Sequence, residues 1–151
     1  MDDLYTEIIL DHFKNPKNKG QIDASKISKN EILLTATEYN PACGDKVTMQ
    51  IVIKNGTIEK IAFFGEGCAI SQAASSMLTE HLKGKTLEYL SKMKTEEIYK
   101  LLQIPISPAR VKCALLGFIA VKNAISQPTE CIPKRRSEAE SPYSHFYPKA
   151  P

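Results

Sequence analysis

Two residues, Asn55-Gly56, place the strongest constraint on the fold. They separate two alternating runs, 46–54 (KVTMQIVIK) and 57–64 (TIEKIAFF). An Asn-Gly pair accepts the positive φ angles of a two-residue hairpin turn, so the two runs are expected to pair as antiparallel strands. In the first run Val47, Met49, Ile51 and Ile53 face one side, and Thr48, Gln50 and Lys54 the other. Residues 31–40 (EILLTATEYN) are also rich in β-branched residues and alternate, which predicts a further strand before this hairpin.

The flanking segments carry helical spacing. Leu4, Ile8 and Phe13 predict an amphipathic helix over 3–13, with Asp2 or Asp3 as N-cap and Asn15-Pro16 as the stop. Residues 17–30 are polar and lysine-rich and are expected to form a surface loop. A helix is expected over 69–83, closed by Gly84. Short helices follow over 86–92 and 95–103, the second capped by Thr95 with Glu96 and Glu97 in its first turn. An apolar helix over 109–126 ends near Pro128. One helix, three strands, then several helices is an α+β order. The 151 residues suffice for one domain, drawn at 1–126. Residues 127–151 hold five of the nine prolines and the run Lys134-Arg135-Arg136. They are expected to form a tail without its own fold, tacked to the body by Tyr143, Phe146 and Tyr147, or else a partner-docking arm.

Composition excludes several classes. Twenty basic and seventeen acidic residues give a net charge of +3, too weak and dispersed to imply a nucleic-acid partner. No apolar run is long enough to span a bilayer, so no membrane is expected. The start Met1-Asp2-Asp3-Leu4 lacks the basic and apolar regions of a secretory signal, so the expected location is the cytoplasm. In that reducing compartment the four cysteines are expected to be metal ligands or reactive thiols, not disulfides.

Three cysteines fall where the expected elements break. Cys43 lies in NPACGD between the first two strands, Cys68 follows Gly65-Glu66-Gly67 at a helix start, and Cys113 follows Arg110-Val111-Lys112 near the start of the last helix. A helix start offers free N–H groups and a positive dipole end, which favour a thiolate. If the three loops converge at one end of the sheet, Asp45 joins them. Three thiolates and one carboxylate suit tetrahedral zinc, ferrous iron or the irons of a small cluster. There is no CxxC pair, so zinc-ribbon spacing does not apply. No histidine sits in a motif that would orient it toward a thiol, which argues against a cysteine hydrolase. A closed, purely structural metal module is the remaining alternative class.

LYTEIILDHFKNPKNKG (4–20), NPACGD (40–45), GEGCAIS (65–71) and RVKCAL (110–115) together resemble the U-type iron–sulfur cluster assembly proteins. That family comprises a scaffold branch, the N-terminal domain of the nitrogen-fixation scaffold, and a zinc-containing sulfurtransferase branch. The resemblance covers residues 3–126 and implies a three-stranded antiparallel sheet covered by helices. It implies Cys43, Asp45, Cys68 and Cys113 as ligands of Zn2+, Fe2+ or a transient iron–sulfur cluster. It implies a pyridoxal-phosphate cysteine desulfurase as sulfur donor and iron–sulfur apoproteins or carriers as recipients. Cys43 is then the first choice of persulfide acceptor and Cys113 the second. One departure stands out: the scaffold branch has histidine before its third cysteine, and this chain has Lys112. The flanking motifs look like the sulfurtransferase branch. The 44 residues between Cys68 and Cys113 match the scaffold branch, without the sulfurtransferase insertion.

Arg110 and Lys112 place positive charge beside Cys113, where it would favour the thiolate and attract a persulfide. The alternative is ordinary solvated charge. Cys131 is expected to be an incidental thiol, His12 a surface residue and His81 a surface or half-buried residue of its helix. His145 would reach the site only if the tail docked.

Overall fold

A computed structural model describes the backbone at residues 2–103 and 105–126, and side chains from residue 7 onward within these. The expected tail at 127–151, with Cys131 and His145, lies outside the described residues. The elements run α1 (Asp2–Lys14), β1 (Glu31–Asn40), β2 (Asp45–Lys54), β3 (Thr57–Glu66), α2 (Ala69–Leu82), α3 (Leu87–Lys92), α4 (Thr95–Leu102) and α5 (Val111–Ser126). The α+β class and the three antiparallel strands are as the sequence indicates, in sheet order β1-β2-β3.

The hairpin forms as its turn chemistry requires, with φ of 52° at Asn55 and 74° at Gly56. Register then places Leu34 opposite Ile51 and Ala36 opposite Met49, with Phe63 and Ile61 on the far side. These side chains share one face, and α2 and α5 bury it. Val47, Met49 and Ile51 are wholly buried.

The segment before β1 does more than the loop expected there. Gly20 N donates to Phe63 O at 2.8 Å, and Phe63 N donates to Asn18 O at 3.0 Å, so residues 18–20 pair in parallel along β3. Ile22 N donates to Gln50 Oε1 at 2.7 Å, which ties the chain after Gly20 to β2. Pairing through main-chain groups leaves no side-chain period, so the sequence shows only a polar stretch. The other end of β3 is also occupied, because Ile58 N donates to Lys85 O and Gly84 N to Ile58 O.

Thr95 is the first residue of α4 and not its cap. Lys94 holds the cap position, and Glu97 reaches back to accept from Lys94 N at 3.2 Å. His12 is half-buried, unlike the surface residue expected. Its Nδ1 lies 2.8 Å from Ser76 Oγ, which also accepts from Lys17 N at 2.7 Å. His81 is half-buried, as expected, with Nε2 2.8 Å from the Tyr89 hydroxyl.

Ser76 therefore ties the end of α1 and the loop after it to α2. Ser76→Ala leaves the Lys17 N–H and the His12 ring nitrogen without that partner. Each orphaned polar group costs on the order of 1 kcal/mol or more. The expected outcome is a loss of about 2 kcal/mol, a fall in Tm of roughly 6–8 °C, measured by thermal denaturation with the α5 helical signal intact below the transition.

Candidate metal centre

Three element junctions converge at one end of the sheet. The turn between β1 and β2 carries Cys43, whose N–H donates to Asn40 O at 3.2 Å. The first residue of β2 is Asp45, only 2 % exposed. Cys68 is the N-cap residue of α2. Cys113 sits in the first turn of α5, with Arg110 closing the 3-10 turn just before it.

The donor atoms of Cys43, Asp45 and Cys113 all lie within 4.8 Å of one another. Cys113 Sγ is 3.5 Å from Cys43 Sγ. Cys68 is not part of that mutual set, but its Sγ is 3.8 Å from Asp45 Oδ2. Donors around a tetrahedral ion with metal–sulfur bonds of ~2.3 Å stand about 3.7 Å apart, so these spacings are those of a ligand set. Two soft sulfurs and a carboxyl oxygen, with a third sulfur beside them, fit zinc or iron by donor chemistry. Exposure is graded: Cys43 is exposed, Cys68 half-buried and Cys113 buried.

Asp45 is fixed by backbone. Its Oδ1 accepts from Cys68 N at 3.0 Å, leaving Oδ2 turned toward the sulfur. Gly67 permits this approach. A Cβ there would collide with Ser71 Oγ and lie 3.0 Å from Asp45 Oδ1. Ser71 Oγ in turn donates to Cys68 O at 3.1 Å.

Burial pushes the Cys113 thiol well above its ordinary value, helped by its hydrogen bonds to Asp45 and Cys43 and by the charge of Cys68. Arg110 faces Cys68 and then Cys113, and their negative charge as thiolates raises the guanidinium above its ordinary value. Arg110 thus lies within electrostatic reach of both sulfurs. Lys112 is exposed on the same turn. Sequence reasoning missed Asn40, which is 4 % exposed and whose Nδ2 donates to Cys113 Sγ at 3.6 Å. Its place one residue before the Pro41 turn was the only available signal.

The profile of the NifU-like N terminal domain family matches residues 4–132. The chain belongs to that family. Among relatives of this NifU-like domain, the zinc-dependent sulfurtransferase SufU of Bacillus subtilis is 31 % identical over 144 residues, covering 84 % of this chain and 92 % of the relative. The iron-sulfur cluster assembly scaffold protein IscU of Haemophilus influenzae is 38 % identical over 123 residues, covering 81 % and 93 %. Among solved structures, a nitrogen-fixing NifU-like protein (N-terminal) from Brucella abortus superposes with a TM-score of 0.64 at 25 % identity, covering 83 % of this chain and 94 % of that one. The sequence-based family resemblance and the helix-covered three-stranded sheet it implied are therefore both correct.

If the close approach at Gly67 orients the carboxyl group, Gly67→Ala displaces Asp45 while the sheet stays formed. The expected result is a Co2+ affinity at least tenfold weaker, with a stability loss of about 1–3 kcal/mol for the overpacked contact. Titration followed by the tetrahedral cobalt absorption, beside a thermal melt, checks both.

Proposed function

We propose that this NifU-like domain is an iron–sulfur cluster assembly protein that takes sulfur from a pyridoxal-phosphate cysteine desulfurase and assembles or relays it at Cys43, Asp45, Cys68 and Cys113. The observation that carries the proposal is the meeting of Cys43, Asp45 and Cys113 from segments up to 70 residues apart. The named functions of the scaffold and sulfurtransferase relatives support it.

In this proposal the exposed thiol, Cys43, meets the desulfurase first. Its thiolate attacks the sulfane sulfur of the donor persulfide, and the donor cysteine leaves as a thiolate. Cys113 is the second-choice acceptor, because its sulfur is buried 3.5 Å behind. Arg110 stands where its guanidinium stabilises thiolate charge on Cys68 and Cys113. Iron and sulfide are cargo, and sulfane sulfur needs two electrons from an external donor to become sulfide. Asp45 is the hardest donor in a soft set, which suits a cargo that must leave. Downstream iron–sulfur apoproteins or carriers receive it. We place the process in the cytoplasm; among the described residues no helix is long and apolar enough to cross a membrane. Residues 1–126 form the working unit in this scheme, with 127–151 an appended tail.

A second assignment, zinc-dependent persulfide relay without cluster building, is favoured by one specific feature: Lys112 stands where the scaffold branch has histidine. Zinc fits the same donors and would hold the thiols deprotonated. Anaerobic purification with metal and sulfide analysis, repeated with desulfurase and cysteine present, separates the two. Iron with acid-labile sulfide in equal amounts supports assembly. Stoichiometric zinc without cluster growth supports relay, and neither metal nor sulfur loading overturns both.

Lys112 is then a tuning residue, since an ammonium has no lone pair with which to bind a metal. Lys112→His is expected to raise cluster yield on anaerobic reconstitution and to lower desulfurase turnover with this protein as acceptor. Equal values for variant and parent in both assays leave Lys112 as solvated charge.

A further inference from the structure

The two outer edges of the sheet, ordered β1-β2-β3, are not alike. The outer edge of β3 is closed at both ends, by Lys19 against Phe63 and by Thr86 against Thr57. β1 carries no such cover: among the described residues, main-chain hydrogen bonds reach 32–39 only from β2. An open edge is a template for another strand, and proteins commonly blunt it with proline, lysine or a bulge. Residues 31–40 contain neither proline nor lysine, and all ten pair with β2 in unbroken register. Two of the three exposed large apolar side chains among the described residues, Ile32 at 41 % and Tyr39 at 53 %, lie on this strand.

We propose that the open edge of β1 pairs with β1 of a second copy of this chain, antiparallel about Thr35, to give a six-stranded sheet. A two-fold axis normal to the sheet sets residues of the same face opposite each other, so the pairing is self-complementary. Thr35 then meets Thr35, Leu33 meets Thr37, and Glu31 meets Tyr39. Lys46 Nζ lies 5.5 Å from the centre of that Tyr39 ring, so each Glu31 carboxylate gains a cation from the other copy. Ser28 Oγ and N donate to Glu31 Oε1 at 2.6 and 3.0 Å, which fixes the carboxylate at this end of the edge. Glu38 meets the exposed Ile32, and no like charges stand opposite each other. Centring the pairing on Ala36 instead would lose the Glu31–Tyr39 pair and set Glu38 against Leu34, which is 9 % exposed. The chain beyond Ser126 is a poorer occupant. Proline at 128, 133, 142, 148 and 151 leaves it no stretch as long as 31–39 that can donate throughout. Antiparallel pairing sends the two metal centres to opposite ends of the seam, roughly 30 Å apart at ~3.4 Å per residue. Both Cys43 turns then lie outside the seam, so the pairing does not depend on which sulfur chemistry the centre performs.

Sedimentation of the full chain under reducing conditions is expected to show a monomer–dimer equilibrium with a Kd on the order of 10 µM, as a small interface gives. Thr35 is half-buried, and at the two-fold axis it faces its own copy. Thr35→Lys and Thr35→Glu each set like charges opposite one another, and each is expected to weaken the dimer at least about tenfold. Mixed in equal amounts, the two variants are expected to form a heterodimer at least as tight as the parent's homodimer. A second readout uses the parent alone. Amide exchange within 32–39 is expected to slow about fivefold between dilute and concentrated protein, while exchange in the 21–29 segment stays constant. A full chain that stays monomeric at every concentration up to its solubility limit overturns the proposal. Variants that dimerise as the parent does, or a mixture no tighter than either variant alone, also overturn it. If circular dichroism shows that the variants do not fold, the exchange readout on the parent decides, and rates that do not change with concentration overturn the proposal.

Discussion

A carboxyl group that is 2 % exposed needs hydrogen-bond partners, and Asp45 finds one in the main chain of another element. The Cys68 N–H meets Oδ1 at 3.0 Å, joining the first residue of β2 to the cap of α2. That contact determines where the helix begins relative to the sheet, and with it where Cys68 stands. It also satisfies one of the helix's unpaired N-terminal donors, a task that the Cys68 side chain does not perform. One oxygen is thereby committed to the fold, and the other is left facing the sulfurs.

Bringing three junctions to one place requires α2 to lie deep in the protein. Residues Ile70 through Thr79 are all buried, and half of them are small: Ser71, Ala73, Ala74, Ser75 and Ser76. Small side chains let α1 on one side and α5 on the other approach this helix. At Gly117 of α5 an added Cβ would come within 2.8 Å of Met49 Cε on the sheet. Close packing on this scale transmits displacement, because interiors have few voids to absorb it. Among the described residues the Gln72 amide and the Ser75 hydroxyl are buried without a protein partner, next to well-bonded Ser76 and Thr79. Ordered water is the ordinary partner for such groups.

The sheet and the donor residues were legible because each rests on local chemistry. Asn55-Gly56 has few alternatives to a tight hairpin, and alternation in 46–54 decides which face is buried. Cys43, Asp45 and Cys113 stood out as polar or reactive residues at expected breaks, and their meeting follows once the strand order is right. The hidden features depend on main-chain geometry. The pairing of 18–20 with β3 uses N–H and C=O groups that every residue has, so a lysine-rich stretch reads as loop. Asn40 looks like an ordinary residue before a proline until α5 brings Cys113 within reach of its amide. His12 seemed external because the loop that returns beside it was invisible, and Ser76 is its partner only in three dimensions.

The hairpin turn also fixes where the chain will age chemically. Asn55 is exposed, and Gly56 has no side chain to shield its own amide nitrogen. Attack of that nitrogen on the Asn55 carboxamide closes a succinimide ring and releases ammonia. Reopening by water leaves aspartate or isoaspartate, one negative charge more than before. The backbone must distort to reach the ring. The Leu87 N–H that donates to Gly56 O at 2.9 Å resists that distortion, so α3 acts as a brake on the turn's decay. The same dipeptide that gives the sheet its shape is a site of deamidation in stored protein.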